Sequence, residues 1–191
     1  MAALRRDFRE QIQPALSGVL SHLKFIDEIG VHLGLTRLYG RAAPGERVVE
    51  GTPDYSGPHY TTIAAIGVSG VEAPWLFEGA MTTLAFETYL HCELIPTLRR
   101  GDIVLLDNLS AHKSAEAQRL IEARGARLVF LPPYSSDLNP IELCWSKVKA
   151  ALRAAKARTF EALVEALAAA LHSVSPADIE AWIAHCGYAC S

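Results

Sequence analysis

A chain of 191 residues and 20.8 kDa, half of it hydrophobic (50%) and 20% charged, can bury a core of its own, which excludes global disorder and favours one domain over two. Its 18 Lys and Arg against 21 Asp and Glu leave a formal charge of -3, which excludes nucleic-acid binding by bulk positive charge of the histone kind. The four cysteines Cys92, Cys144, Cys186 and Cys190 are too few for a disulfide scaffold, and Cys186 and Cys190 beside His185 lack a second Cys/His pair at zinc spacing.

The opening MAALRRDFREQIQPAL holds no uninterrupted apolar stretch of the signal-peptide kind. No apolar run approaches the roughly 20 residues that span a bilayer. A reduced, cytoplasmic protein without a membrane partner is the expectation. Residues 5–20 read as a short, weak helix, and Leu23-Lys24-Phe25-Ile26-Asp27 as a strand. Residues 32–50 read as an extended hairpin region with turns at Gly40 and Pro44-Gly45. The β-branched and apolar run from Thr61 to Val68 predicts a buried strand. Phe86, Leu90 and Leu94, at i, i+4 and i+8, predict a helix from Thr82 to Leu98.

Ile103-Val104-Leu105-Leu106 is a continuous apolar run, the pattern of a strand covered on both faces. A helix over 111–123 and a strand from Arg127 to Leu131, stopped by Pro132-Pro133, follow. Helices over 139–157, 159–172 and 176–185 complete the chain. The expected fold is α/β, a mixed sheet flanked by helices in one domain.

Charge is uneven along the chain. Residues 99–158 carry 11 cations and 6 acids, whereas 61–98 and 159–191 carry acids only, so a polyanion should meet the stretch 99–158. Three acids within the chain attract attention. Asp107 ends the apolar strand, where open α/β sheets bind ligands, although a turn or N-cap aspartate looks the same. Asp27 ends another strand, beside Glu28, where an unpaired charge is costly unless it serves a metal. Glu142 lies in Asp137-Leu138-Asn139-Pro140-Ile141-Glu142, with Asn139 as N-cap, Pro140 at N1 and Glu142 at N3, which a capping box explains fully.

In the helix that follows, Ile141, Trp145, Val148, Leu152 and Ala155 form a core stripe. Beside it run Glu142, Ser146, Lys149, Arg153 and Lys156, spread along roughly 21 Å at ~1.5 Å per residue. That is the pattern of a metal-holding carboxylate continued by a phosphate-tracking ridge, and equally of a solvated helix face.

Phe25-Ile26-Asp27-Glu28, Asp107-Asn108 with Ala111-His112-Lys113, and the block from Leu131 through Pro132-Pro133-Tyr134-Ser135-Ser136 to Glu142 resemble the catalytic domain of bacterial insertion-sequence transposases of the mariner-like DDE superfamily. The resemblance runs from about residue 20 to 188, and 34 residues separate Asp107 from Glu142, the spacing for which this superfamily is known. It departs at Ser136, where relatives usually have proline, and at Ile29, where they have threonine. The resemblance implies an RNase H-like, mixed five-stranded sheet over residues 23–188. It implies a catalytic and metal-binding triad of Asp27, Asp107 and Glu142, two Mg²⁺ ions (or Mn²⁺), and DNA as partner, both transposon ends and target, with the chain acting as a homodimer.

Phosphodiester cleavage places charge on the entering and leaving oxygens, and two hard cations shared by three acids match that demand. Around the triad, Asn108, His112 and Asp137 are expected as supporting residues. Lys113, Lys149, Arg153, Lys156 and Arg41, with Arg37 and Arg47, are expected to contact DNA. The 22 residues before the first strand are expected to be a linker with a short helix, because a helix-turn-helix reader of on the order of 50 residues does not fit there. Two functions are therefore in view: a metal-dependent nuclease and strand-transferase domain acting at the nucleoid, or a catalytically silent remnant that binds DNA or dimerises.

Overall fold

Alternate side chains of one strand, β1 (Leu23–His32), enter two different cores, and the remaining elements are arranged about that division in a computed structural model that describes residues 2–188. Leu23, Phe25, Ile29 and Val31 enter the first core and Ile26 the second. β1 is the middle strand of a five-stranded sheet of order β3-β2-β1-β4-β5. On one side β2 (His59–Gly67) and β3 (Gly70–Glu78) continue the sheet antiparallel; on the other β4 (Ile103–Leu106) and β5 (Arg127–Phe130) run parallel to β1. All four residues of β4 are buried, as the apolar run requires when helices cover both faces.

α3 (Thr83–Tyr89), which a π turn extends through Leu94, and α4 (Ala115–Ala123) close the second core with Phe86, Tyr89, Leu94 and Ile121 against Val104 and Leu106. α5 (Ile141–Ala155), α6 (Phe160–His172) and α7 (Pro176–His185) close the first with Trp145, Val148, Leu152, Leu163 and Ile183. The starts of α3, α4, α6 and α7 are capped by the Thr82, Ser114, Thr159 and Ser175 hydroxyls, each accepting a backbone N–H three residues on.

The amino-terminal residues are more than a linker. α1 (Ala2–Asp7) passes through a π turn, Phe8–Ile12, into α2 (Gln13–Ser17); Phe8 and Leu16 are buried, and Gln13 Nε2 donates to the Cys186 carbonyl at 2.6 Å. No hairpin forms over 32–50: β1 runs on to His32, and residues 33–58 hold no strand or helix. Pro44, Pro53 and Pro58 with Gly40, Gly45, Gly51 and Gly57 deny that stretch the donors and alternation a ladder needs.

The missing strand is β3, where Glu72 and Pro74 break the apolar pattern. Between Ile63 and Ala65 the β2–β3 register shifts, and Ala73 takes a left-handed φ of 50°, a bulge that lets an edge strand carry Pro74.

α5 corrects the sequence reading at both ends. Pro140 stands at its N-cap without a side-chain cap, the Asn139 Oδ1 atom is buried with no partner, and the expected capping box is not made. At the other end Ala155 is exposed, and Lys156 leaves the helix with a left-handed φ of 52°. Trp145 is core, and Cys144 joins it on the buried stripe. Cys144 and Cys186 are buried and Cys92 is exposed; Cys190 lies outside the described residues. Among the described residues no single helix is long and apolar enough to cross a membrane.

Candidate active site

The parallel ladder between β1 and β4 ends at Phe25 opposite Leu105. Two residues further on, Asp107 lies just past the end of β4, and Asp27 lies midway along β1 rather than at its end, because pairing with β2 carries β1 on to His32; both share the parity of Phe25 and Leu105, which face the first core. α5 packs on that face of β1 and brings Glu142, in its first turn, toward the two aspartates. Burial, and then the charges of Glu28, Glu142 and Asp107, push the Asp27 carboxyl up to about 8. Glu142 is raised by burial, opposed by Lys149, with Asp107 and Glu28 adding to the rise. The three acids expected from the sequence are thus electrostatic neighbours.

Among the described residues, however, no three His, Cys, Asp or Glu side chains converge closely enough to ligate a metal ion. The donor set nevertheless suits a hard divalent cation. It is carboxylate oxygen throughout, and its crowding holds one acid protonated where a cation would relieve it.

His112 joins the second acid to a fourth. From a short 3-10 turn, Ser110–His112, its Nδ1 lies 2.7 Å from Asp107 Oδ1, and its Nε2 lies 3.3 Å from Glu28 Oε2 in an orientation outside hydrogen-bond geometry. The imidazole is 0% exposed, with the Phe86 ring centroid at 4.4 Å. Burial pulls its pKa down, but the interactions with Asp107 and Glu28 more than reverse this and push it up to about 9, so an imidazolium sits between two carboxylates at neutral pH. Burial raises Asp107 in turn, and the bonds from His112 and the Leu109 N–H, with the charges of His112 and Lys113, lower it further than burial raises it.

Asn108 and Asp137 make their bonds away from the three acids. The Asn108 amide donates to the Leu131 carbonyl, tying the end of β4 to the exit of β5 rather than orienting Asp107. Asp137 Oδ2 accepts from Arg5 at 2.8 Å and from Arg9 at 2.7 Å, so it moors α1 and the following turn to the loop before α5 and takes no part in the acid cluster. Arg5 also donates to the Tyr134 carbonyl and to Ser135 Oγ.

Asp107 and Glu142 open into a cleft of about 690 Å³ whose walls include Lys113, Pro133, Tyr134 and Asn139. Tyr134 is 87% exposed and holds a left-handed φ of 55°, backbone strain of the kind that gathers at working sites. Lys149 lies close enough to Glu142 to lower its carboxyl, and neither Lys149 nor Arg153 has an ion-pair partner among the described residues. Lys156 does: it pairs with Glu50. Arg41 and Arg37 line a different cleft, within the 33–58 loop. Two residues of the site escaped the sequence reading. Glu28 stood only as a neighbour of Asp27, and its reach to His112 follows from strand parity. Tyr134 sat inside the Pro-Pro-Tyr-Ser block, whose signal was available but not assigned.

Residues 22–164 match the family model described as DDE superfamily endonuclease. No curated protein matches the chain in sequence. Among solved structures the chain is similar to the Mos1 mariner transposase in its paired-end complex with Mn (TM-score 0.74, 18% identity, covering 96% of this chain and 61% of that one). It is similar also to the Mos1 catalytic domain with raltegravir and Mg (0.65, 14%, 97% and 87%) and to the same domain in a further crystal structure (0.64, 14%, 98% and 96%). The chain thus spans about three fifths of the transposase chain in the paired-end complex and nearly the whole of the catalytic-domain chain. The mixed five-stranded sheet with helices on both faces is the RNase H-like fold of that domain. With its family model spanning the sheet, α5 and all three acids, this chain belongs to the DDE superfamily endonucleases.

Proposed function

We propose that the chain is the catalytic domain of an insertion-sequence DNA transposase, performing metal-dependent strand cleavage and strand transfer. One observation carries this reading: Asp27, midway along β1, Asp107, just past the end of the neighbouring β4, and Glu142, in the first turn of α5, are gathered at one place, where Asp107 and Glu142 border a cleft of about 690 Å³ and their charges add to the rise of the buried Asp27 carboxyl. Asp27, Asp107 and Glu142 would hold two Mg²⁺ or Mn²⁺ ions, whose chemistry is to activate an attacking water or 3′-hydroxyl and to stabilise the leaving oxygen. Glu142 is free for this because no capping box engages it.

The rest is work for the chain's own side chains. Lys113, on the cleft wall, and Lys149 and Arg153, along α5, meet backbone phosphates on either side of the scissile one. Tyr134 offers an exposed ring on which a neighbouring base can stack. Structures named as paired-end and strand-transfer complexes support DNA as the partner, and a homodimer is proposed as the working unit.

Purified chain, alone and fused to a DNA-reading module, incubated with supercoiled DNA and Mn²⁺ or Mg²⁺, tests the reading. Metal-dependent nicking and strand transfer are expected, reduced about 10²–10³-fold by Asp107→Asn or Glu142→Gln and kept in Asp137→Asn. Absence of both reactions in both forms, or nicking indifferent to Asp107 and Glu142, would sink it.

A further inference from the structure

Both acceptor sites of one Asp107 oxygen are already taken. Oδ1 accepts from the Leu109 N–H at 2.9 Å and from His112 Nδ1 at 2.7 Å, and a carboxylate oxygen has two lone pairs. Oδ2 has no hydrogen-bond partner among the described residues, and Asp107 borders the cleft. His112 in turn cannot swing away. Its side chain is 0% exposed, the Phe86 ring packs against it at 4.4 Å, and Glu28 stands 3.3 Å from its far nitrogen. Glu28 reaches it because successive residues of β1 face opposite sides of the sheet: Asp27 serves the α5 face and Glu28 the face covered by α3.

We propose that His112, hemmed in by Glu28 and Phe86, is a positioning residue that with the Leu109 N–H occupies Asp107 Oδ1, so that Asp107 binds metal through Oδ2 alone. The inference rests on Asp107 being a metal ligand, as read above, and adds how it is presented. Partners that fix a ligand's orientation in this way commonly govern metal affinity as strongly as some ligands do. A one-oxygen carboxylate also suits the strict octahedral shell of Mg²⁺ better than the larger, flexible shell of Ca²⁺, which accepts two oxygens from one acid.

The chain itself, titrated with Mn²⁺ and followed by electron paramagnetic resonance, gives the test, with a thermal melt of each variant alongside. Asp107→Asn should lose the tight site. His112→Ala should weaken it about 10–100-fold. The decisive pair is His112→Asn and His112→Gln. The asparagine amide nitrogen falls near the place of Nδ1 and should restore most of the affinity. The glutamine nitrogen extends toward the place of Nε2 and should not. A purely structural role would make metal affinity follow the melting temperatures instead. Asn and Gln variants of equal affinity, or a Mn²⁺-bound structure with Asp107 ligating through both oxygens, overturn the inference and leave Asp107 a ligand. Mn²⁺ binding that Asp107→Asn does not change overturns the metal reading of Asp107 and the inference together.

Discussion

Asp27 is held where a carboxylate least wants to be: burial first, and then the charges of Glu28, Glu142 and Asp107, raise its pKa to about 8. Folding alone gains nothing from that arrangement, so the metal-free protein should be more stable without the charge. Asp27→Asn keeps the shape and removes the ionisable group. In metal-free buffer at neutral pH it is expected to stabilise the fold by about 1–3 kcal/mol, read by differential scanning fluorimetry. Saturating Mn²⁺ should reverse the order, because only a protein that binds the ion gains stability from it. A destabilised Asp27→Asn protein in metal-free buffer would contradict the idea that the cluster is strained without its cation. The three acids were legible in the sequence through the Asp-Glu, Asp-Asn and Asn-Pro-Ile-Glu blocks and their spacing. Their setting was not. Glu142 satisfied a capping pattern on paper, and only the unmade cap of α5 shows it free. The Glu28–His112–Asp107 chain crosses from β1 to the turn after β4, a contact that depends on register and parity and leaves no local signature.

Helices that hold the site in place were the most legible elements, because a 3.6-residue apolar period and a cap residue both mark them. α6 and α7 begin directly after Thr159 and Ser175, as the sequence implies. β3 and the 33–58 loop were illegible for the opposite reason: a bulged edge strand carrying Pro74 looks like a loop, and a Pro- and Gly-rich loop with scattered apolar residues looks like a hairpin. The start of α7 shows how one element supports another. Asp178 Oδ2 accepts from the Ser175 N–H at 2.9 Å, from Ser175 Oγ at 2.7 Å and from Lys147 Nζ at 2.7 Å, and Lys147 belongs to α5, the helix that carries Glu142. The Lys147 bond, followed by those from Ser175, holds the Asp178 carboxyl down at about 2. A depressed acid stabilises the fold above its unfolded pKa near 4, and that contribution fades as pH falls through its folded value. Asp178→Asn is therefore expected to melt below the parent at pH 7, with the gap narrowing as the pH is lowered from 4 toward 2. A gap that stays constant over that range would mean that the charge on Asp178 contributes nothing.

At the scale of the whole molecule, a net charge of -3 and the proposed nucleic-acid partner are reconciled by where the charges fall. The acids of 159–191 sit on α6 and α7, and those of 61–98 on β3, α3 and its π-turn extension, whereas the cations of 99–158 include Lys113 at the cleft and Lys149 and Arg153 along α5. DNA should therefore approach along α5 toward the acids, with binding that weakens as salt rises because phosphate contacts release counterions. Not every cation on that stripe is available. Lys156 has left the helix and is paired with Glu50, whereas Lys149 and Arg153 have no ion-pair partner among the described residues. Each available cation that contacts a phosphate contributes about one unit to the slope of log affinity against log salt. In a Glu142→Gln background, which keeps the strands intact in Mg²⁺, Lys149→Ala and Arg153→Ala should each flatten that slope by about one, as fluorescence anisotropy of a labelled duplex between 50 and 200 mM salt would read. Lys156→Ala should leave it unchanged. A slope that responds to Lys156 and not to Lys149 or Arg153 would move the DNA path off α5 and onto the 33–58 loop, where Glu50, Arg37 and Arg41 lie.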